Sequence, residues 1–132
     1  MTSQSLIAEF GELRSIADGR GVDFFDHVSN LEYQVDGLFV SSAVVIVTES
    51  SQTPTVADVR RQALCKALLE RILANLSKYT TEPPGCLEAM GGITAVAPVI
   101  SGCNFRPEVE SACKAAGVRY VKINCSDYSP AI

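Results

Sequence analysis

The chain has a single histidine, His27, and none of its five cysteines form a Cys-x-x-Cys pair. Structural zinc sites are built from closely spaced cysteine and histidine ligands, so this composition argues against one. The odd count and scattered spacing of Cys65, Cys86, Cys103, Cys113 and Cys125 give no disulfide framework either. Most of them fall in apolar segments, where a reduced cysteine behaves as a small hydrophobe. Long apolar runs are also missing. The longest, Ala43 to Val47 and Ile93 to Ile100, fall well short of the roughly 20 residues that a membrane-spanning helix needs. Met1 to Ser5 carry neither the basic flank nor the apolar run of a secretion signal, which sets the expectation of a cytoplasmic or otherwise intracellular protein with no membrane partner. Basic residues are in deficit: 11 Lys and Arg against 15 Asp and Glu leave a net charge of -4. That balance argues against a protein that coats nucleic acid by electrostatics alone. It leaves room for a metal-dependent nuclease, because a carboxylate metal site is itself acidic until it is filled.

With 47% apolar and 20% charged residues, the composition is that of a globular domain rather than a disordered chain. The 132 residues are enough to bury a core, and the expectation is one domain over 1–125 with a tail at 126–132. Leu6, Phe10, Leu13 and Ile16 or Ala17 recur at helical spacing from Ser5 to Ala17, ahead of Gly19. Phe24 to Val28, Tyr33 to Val40 and Ala43 to Glu49 read as strands, the last two joined by Ser41 and Ser42. The β-branched run of the third suits a strand buried on both faces. Thr55 and Asp58 have the spacing of a capping box, and Val56, Val59, Ala63, Ala67, Leu68 and Ile72 continue a helix to about Lys78. Thr80 to Gly92, containing Pro83, Pro84 and Gly85, reads as loop. Ile93 to Ile100 and Val118 to Asn124 read as strands flanking a helix that starts at Pro107 and stops at Gly117. The order α-β-β-β-α-β-α-β implies an α/β fold: a mixed central sheet flanked by helices, antiparallel where hairpins join the strands and parallel where helices cross over.

One acid stands in each strand of the central hairpin: Asp36 in Gln34 to Val40, and Glu49 at the end of Ala43 to Ser51. With that element order, the chain resembles the restriction-endonuclease-like, or PD-(D/E)XK, nuclease superfamily with a degenerate motif. Gln34 to Val40 resembles the strand that carries the family's first metal-binding acid, which would be Asp36. Ala43 to Ser51 resembles its second strand, which normally ends Glu-x-Lys. Ile93 to Tyr120 resembles its closing strand-helix-strand unit. Two alignments stand. In one, Glu49 is the family's Glu and Ser51 stands where the lysine belongs. In the other, Val47 takes the Glu position and Glu49 the lysine position.

The resemblance implies magnesium as the cofactor, bound by Asp36 and Glu49, with Glu12 (or Glu9) on the first helix as a further ligand. Such an ion polarises a phosphate and lowers the pKa of an attacking water, and the family's lysine orients that water and offsets transition-state charge. Gln62 resembles a glutamine that some exonuclease-like members place over the site, and Arg61, with Arg60, could meet phosphate oxygens. Each residue has a plainer reading. Asp36 could be an acid bonded to turn amides and Glu49 a strand-end carboxylate reaching solvent or a loop. Glu12 could be a solvated helix-edge acid, and Arg61 a helix-surface partner of Asp58 or Glu70. His27 reads as a loop or strand-edge residue and Lys122 as a solvent-facing strand residue. Two functions follow from the resemblance. The first is a nuclease-fold domain of impaired catalysis that acts as a binding or assembly module, as a homodimer or within a larger complex. The second is an active Mg-dependent nuclease that binds DNA or RNA and hydrolyses its phosphodiester bonds.

Overall fold

The computed structural model describes residues 11–17, 20–41 and 43–127. Among the described residues eight strands form two sheets. A mixed five-stranded sheet contains β1 (Arg14–Ser15), β4 (Leu38–Val40), β5 (Val44–Ser50), β7 (Ala95–Gly102) and β8 (Arg119–Lys122), in that order across the sheet. A three-stranded sheet has β2 (Val22–Asp26) between β3 (Leu31–Val35) and β6 (Tyr79–Glu82). The helices are α1 (Val56–Ala74), α2 (Cys86–Met90) and α3 (Pro107–Ala116).

Local chemistry accounts for the main elements. β5 contains Val44, Val45, Ile46 and Val47, whose branched side chains suit a pleated surface packed on both sides. Val45, Ile46 and Val47 are all essentially inaccessible to solvent, as expected for a strand buried on both faces. β4 pairs antiparallel with β5, and β5–β7 and β7–β8 pair parallel, which is the mixture of directions that the element order implies. α1 begins with a reciprocal capping box: Thr55 Oγ1 accepts from the Asp58 amide at 3.2 Å, and Asp58 Oδ2 accepts from the Thr55 amide at 2.8 Å. Pro107 occupies the first turn of α3, and Gly117, at φ +70°, takes the left-handed position that ends it.

Pro98 sits inside β7 without costing a ladder bond. The Ser51 amide donates to the Ser101 carbonyl, and the Ile123 amide donates to that of Gly102. Odd-numbered residues of β7 therefore direct their backbone groups toward β5, and even-numbered ones toward β8. Pro98 faces β8, whose pairing with β7 begins only at Val99, so no donor on β8's side is missed.

One face of the five-stranded sheet carries Leu38, Val40, Val45, Val47 and Val96 against Leu69 and Ile72 of α1 and Val22, Phe24 and Val35 of the smaller sheet. A second cluster joins Val59 of α1, Ile100 of β7, and Val109 and Cys113 of α3 on that same face. On the opposite face Ile46 and Val99 are fully buried, with Leu13, Phe39, Val44, Ala97 and Val121 packed about them. α1 and α3 thus share a face instead of standing on opposite faces of one sheet.

Several expected elements are corrected. The first helix, placed at Ser5 to Ala17, lies outside the described residues up to residue 10. Within the described part Arg14 and Ser15 pair with Val40 and Phe39 as a short strand, because the open edge of β4 offers backbone partners. The strand expected from Tyr33 to Val40 is broken at Asp36–Gly37, so that β3 pairs with β2 and β4 with β5. Gly37 makes the break at φ +61°, and a β-carbon there would collide with Thr48. The helix expected to reach Lys78 ends at Ala74 and is followed by a 3₁₀ turn, Leu76–Lys78. The stretch Thr80 to Gly92 is not loop throughout: it holds most of β6 and all of α2.

Candidate functional site

Gly37 also fixes the turn between Asp36 and β4. Its carbonyl accepts from the Thr48 amide at 2.8 Å, and from the Thr48 hydroxyl at 3.1 Å. Leu38 lies opposite Val47 in the β4–β5 register. The pairing stops there: Gly37 breaks the strand, and Asp36 stands at the break with its carboxylate toward Gly21. Both acids line one cleft of about 410 Å³ with Gln34, Arg61, Gln62 and Cys65. Four residues singled out in the sequence, Asp36, Glu49, Arg61 and Gln62, are thereby brought together.

Alternation along β5 puts Glu49 on the side of Val45 and Val47, facing α1. Arg61, one turn into that helix, donates to Glu49 Oε1 at 3.2 Å and also pairs with Asp58 Oδ1. Asp58 is mostly buried and uses its other oxygen in the helix cap. One guanidinium thus spans two carboxylates, a geometry that suits arginine's forked donors. Both plain readings of Arg61 and Glu49 are realised in part: the arginine does pair with Asp58, and the glutamate does sit at the strand end. Their pairing with each other joins the two.

Burial, then the charge of Asp58, pushes the Glu49 carboxyl above the usual glutamate range. Arg61 opposes the shift, and Asp36 adds to it. Burial likewise raises the Cys65 thiol, and the charges of Glu49 and Asp36 are felt there too. Asp36 is exposed, and its carboxylate lies against the backbone of Gly21 at the mouth of β2.

Gln62 is buried, and its amide nitrogen donates to the Val47 carbonyl at 3.0 Å and the Val99 carbonyl at 2.9 Å. Both amide hydrogens are spent on tying α1 to β5 and β7, so neither is left for a bound phosphate. Ser51, where one alignment expects the lysine, supplies no cation. Arg60 is exposed on α1, and Lys66 borders a different depression beside Lys114 and Arg119. Glu12 lies in a bend rather than a helix and lines a separate hollow with Val40, Ser41 and Ile93, away from Asp36 and Glu49. Glu9 lies outside the described residues. His27 is exposed in the β2–β3 turn with its ring edge-on to Phe25, and Lys122 pairs with Glu110 at 2.7 Å.

Among the described residues no group of three or more His, Cys, Asp or Glu side chains is placed to hold a metal ion. Magnesium takes six oxygens and accepts one or two carboxylates plus water. Here one of the two available carboxylates is already bound by an arginine. Arg61 holds Oε1 of Glu49, which leaves the other Glu49 oxygen and Asp36 as the carboxylate donors of the cleft. One contributor was missed in the sequence: Gly37, which carried the signal of a left-handed turn. No protein-family model, curated protein or solved structure matches the chain.

Proposed function

We propose that this chain is a restriction-endonuclease-like domain whose catalytic site has decayed, and that it serves as a binding or assembly module. The antiparallel β4–β5 pair leading into α1, then the parallel β7 and β8 around α3, supports the lineage. The observation that carries the functional half is the Arg61 bridge to Glu49 and Asp58. The Arg61 guanidinium pairs with the strand-end acid where a nuclease of this kind would place its cation. The internal pair takes up one of the two Glu49 oxygens that a metal ion could use. Gln62, spent on strand carbonyls, adds no substrate contact.

The net charge of -4 favours a protein surface over a nucleic-acid backbone as the partner. Val28 and Leu31, both exposed at the β2–β3 turn, supply apolar contact points for such a surface. The module works as a homodimer or as a subunit of a larger complex.

The test is incubation with supercoiled DNA, single-stranded DNA and RNA in Mg²⁺ or Mn²⁺, alongside light scattering. No cleavage and a stable oligomer are expected. Metal-dependent cleavage abolished by both Asp36→Asn and Glu49→Gln would overturn the proposal in favour of an active nuclease.

A further inference from the structure

Two cysteines meet where β7 and β8 end. These parallel strands pair as far as Gly102 and Lys122, and the Ile123 amide donates to the Gly102 carbonyl at 2.9 Å. The segments leaving the strands therefore stay side by side. Cys103 is the first residue after β7, and Cys125 opens a 3₁₀ turn just after β8. Cys125 Sγ donates to Oδ1 of Asn104, the residue that follows Cys103, at 3.5 Å, and Cys103 Sγ donates to the Gln52 carbonyl at 3.5 Å. That carbonyl accepts the Cys103 and Asn104 amides as well, at 3.2 and 3.0 Å, which fixes the Cys103 backbone against the loop leaving β5. Cys125 is exposed and Cys103 half-buried, whereas Cys86 and Cys113 are packed in the interior.

We propose that Cys103 and Cys125 are a redox-reactive dithiol that closes to a reversible intramolecular disulfide. The two residues leave adjacent strands, with Cys125 Sγ against the residue that follows Cys103, and a disulfide requires their sulfurs to approach to about 2.05 Å. The oxidant class is a hydroperoxide. The exposed Cys125 thiolate attacks a peroxide oxygen, the O–O bond breaks, and the departing oxygen takes a proton, leaving a sulfenic acid. The Cys103 sulfur then attacks the Cys125 sulfur: the S–S bond forms, the S–O bond breaks and water leaves. Two thiols lose two electrons and two protons in all, and hydrogen peroxide becomes two waters. Exposure makes Cys125 the thiol that a peroxide meets first and leaves the half-buried Cys103 to resolve the sulfenic acid. The closed ring encloses α3 and β8 and joins the exit of β8 to that of β7. The proposal is independent of any function of the cleft.

The test treats the full chain with hydrogen peroxide, alkylates the remaining thiols under denaturing conditions, and maps peptides by mass spectrometry. Expected are the loss of two thiols, a mass lower by two hydrogens, a crosslink between Cys103 and Cys125, and reversal by dithiothreitol. Cys103→Ser, checked for folding by circular dichroism, should stop at an oxidised Cys125 acid without an internal crosslink. Pairing of either residue with Cys65, Cys86 or Cys113 would overturn the proposal. So would wild-type chains joined to one another through Cys125, or oxidation of wild-type Cys125 to an acid with Cys103 left free.

Discussion

Replacing Gln62 with methionine removes two buried hydrogen-bond donors and nearly conserves side-chain volume. The amide bridges two adjacent strands at 3.0 and 2.9 Å, and the residue is only 3% exposed. A buried neutral hydrogen bond is worth about 1 kcal/mol net, so losing two should cost about 2 kcal/mol. Val99, being odd-numbered, directs its carbonyl toward β5 and keeps a ladder partner, so the loss stays near the bond energies and below a full desolvation cost. Methionine is as good a helix former as glutamine, so α1 itself should be unaffected. For a chain of this size the cost should lower Tm by roughly 8 °C. Urea unfolding followed by circular dichroism measures it directly as a lower midpoint at unchanged slope. Gln62→Glu gives a second reading. Its carboxylate, facing two carbonyl oxygens, can donate only when protonated, so its folded pKa should lie above the unfolded value of about 4.3. The penalty of Gln62→Glu relative to Gln62→Met should therefore be smallest below that pH and grow as pH rises. A Gln62→Met protein within about 0.5 kcal/mol of wild type would refute the reasoning, because two buried hydrogen bonds cannot be lost at that cost.

Gly37→Ala should destabilise by at least about 2 kcal/mol, since a left-handed backbone and a collision with Thr48 add together; an unchanged urea midpoint would contradict the turn. Thr55→Ala should cost about 1 kcal/mol through loss of the α1 cap, measured the same way, and a neutral result would mean the cap is not formed. Glu49 has a raised folded-state pKa, caused first by burial, so its ionised form weighs against folding at neutral pH. Glu49→Gln should therefore gain on wild type in stability as pH rises through the ordinary glutamate range and beyond, and a gap that closes with rising pH would reverse the sign.

The parts of the fold that could be read from the sequence are those where one local signal acts alone. The β-branched run of β5, the Thr55 and Asp58 cap of α1, and the Pro107 and Gly117 ends of α3 each carry their own physical cause. The missed parts depended on partners distant in sequence. Tyr33 to Val40 reads as one strand because Asp36 and Gly37 interrupt an otherwise suitable pattern. Which sheet each half joins is decided by β2 and β5. β6 is short and polar apart from Tyr79 and runs into Pro83, so its pairing with β2 has almost no sequence signal. Asp36 and Glu49 line the same cleft although the hairpin register stops at Leu38 and Val47. The Arg61 bridge could be read only as far as Asp58, because the i,i+3 spacing is local and the reach to β5 is not.

Calorimetric titration of Mn²⁺ or Mg²⁺ into the wild-type protein at neutral pH is the most direct test of the decayed-site account. With Glu49 held by Arg61, and two cleft carboxylates as the available ligands, the account requires no saturable binding into the millimolar range. One-to-one binding tighter than millimolar, lost in both Asp36→Asn and Glu49→Gln, would contradict it.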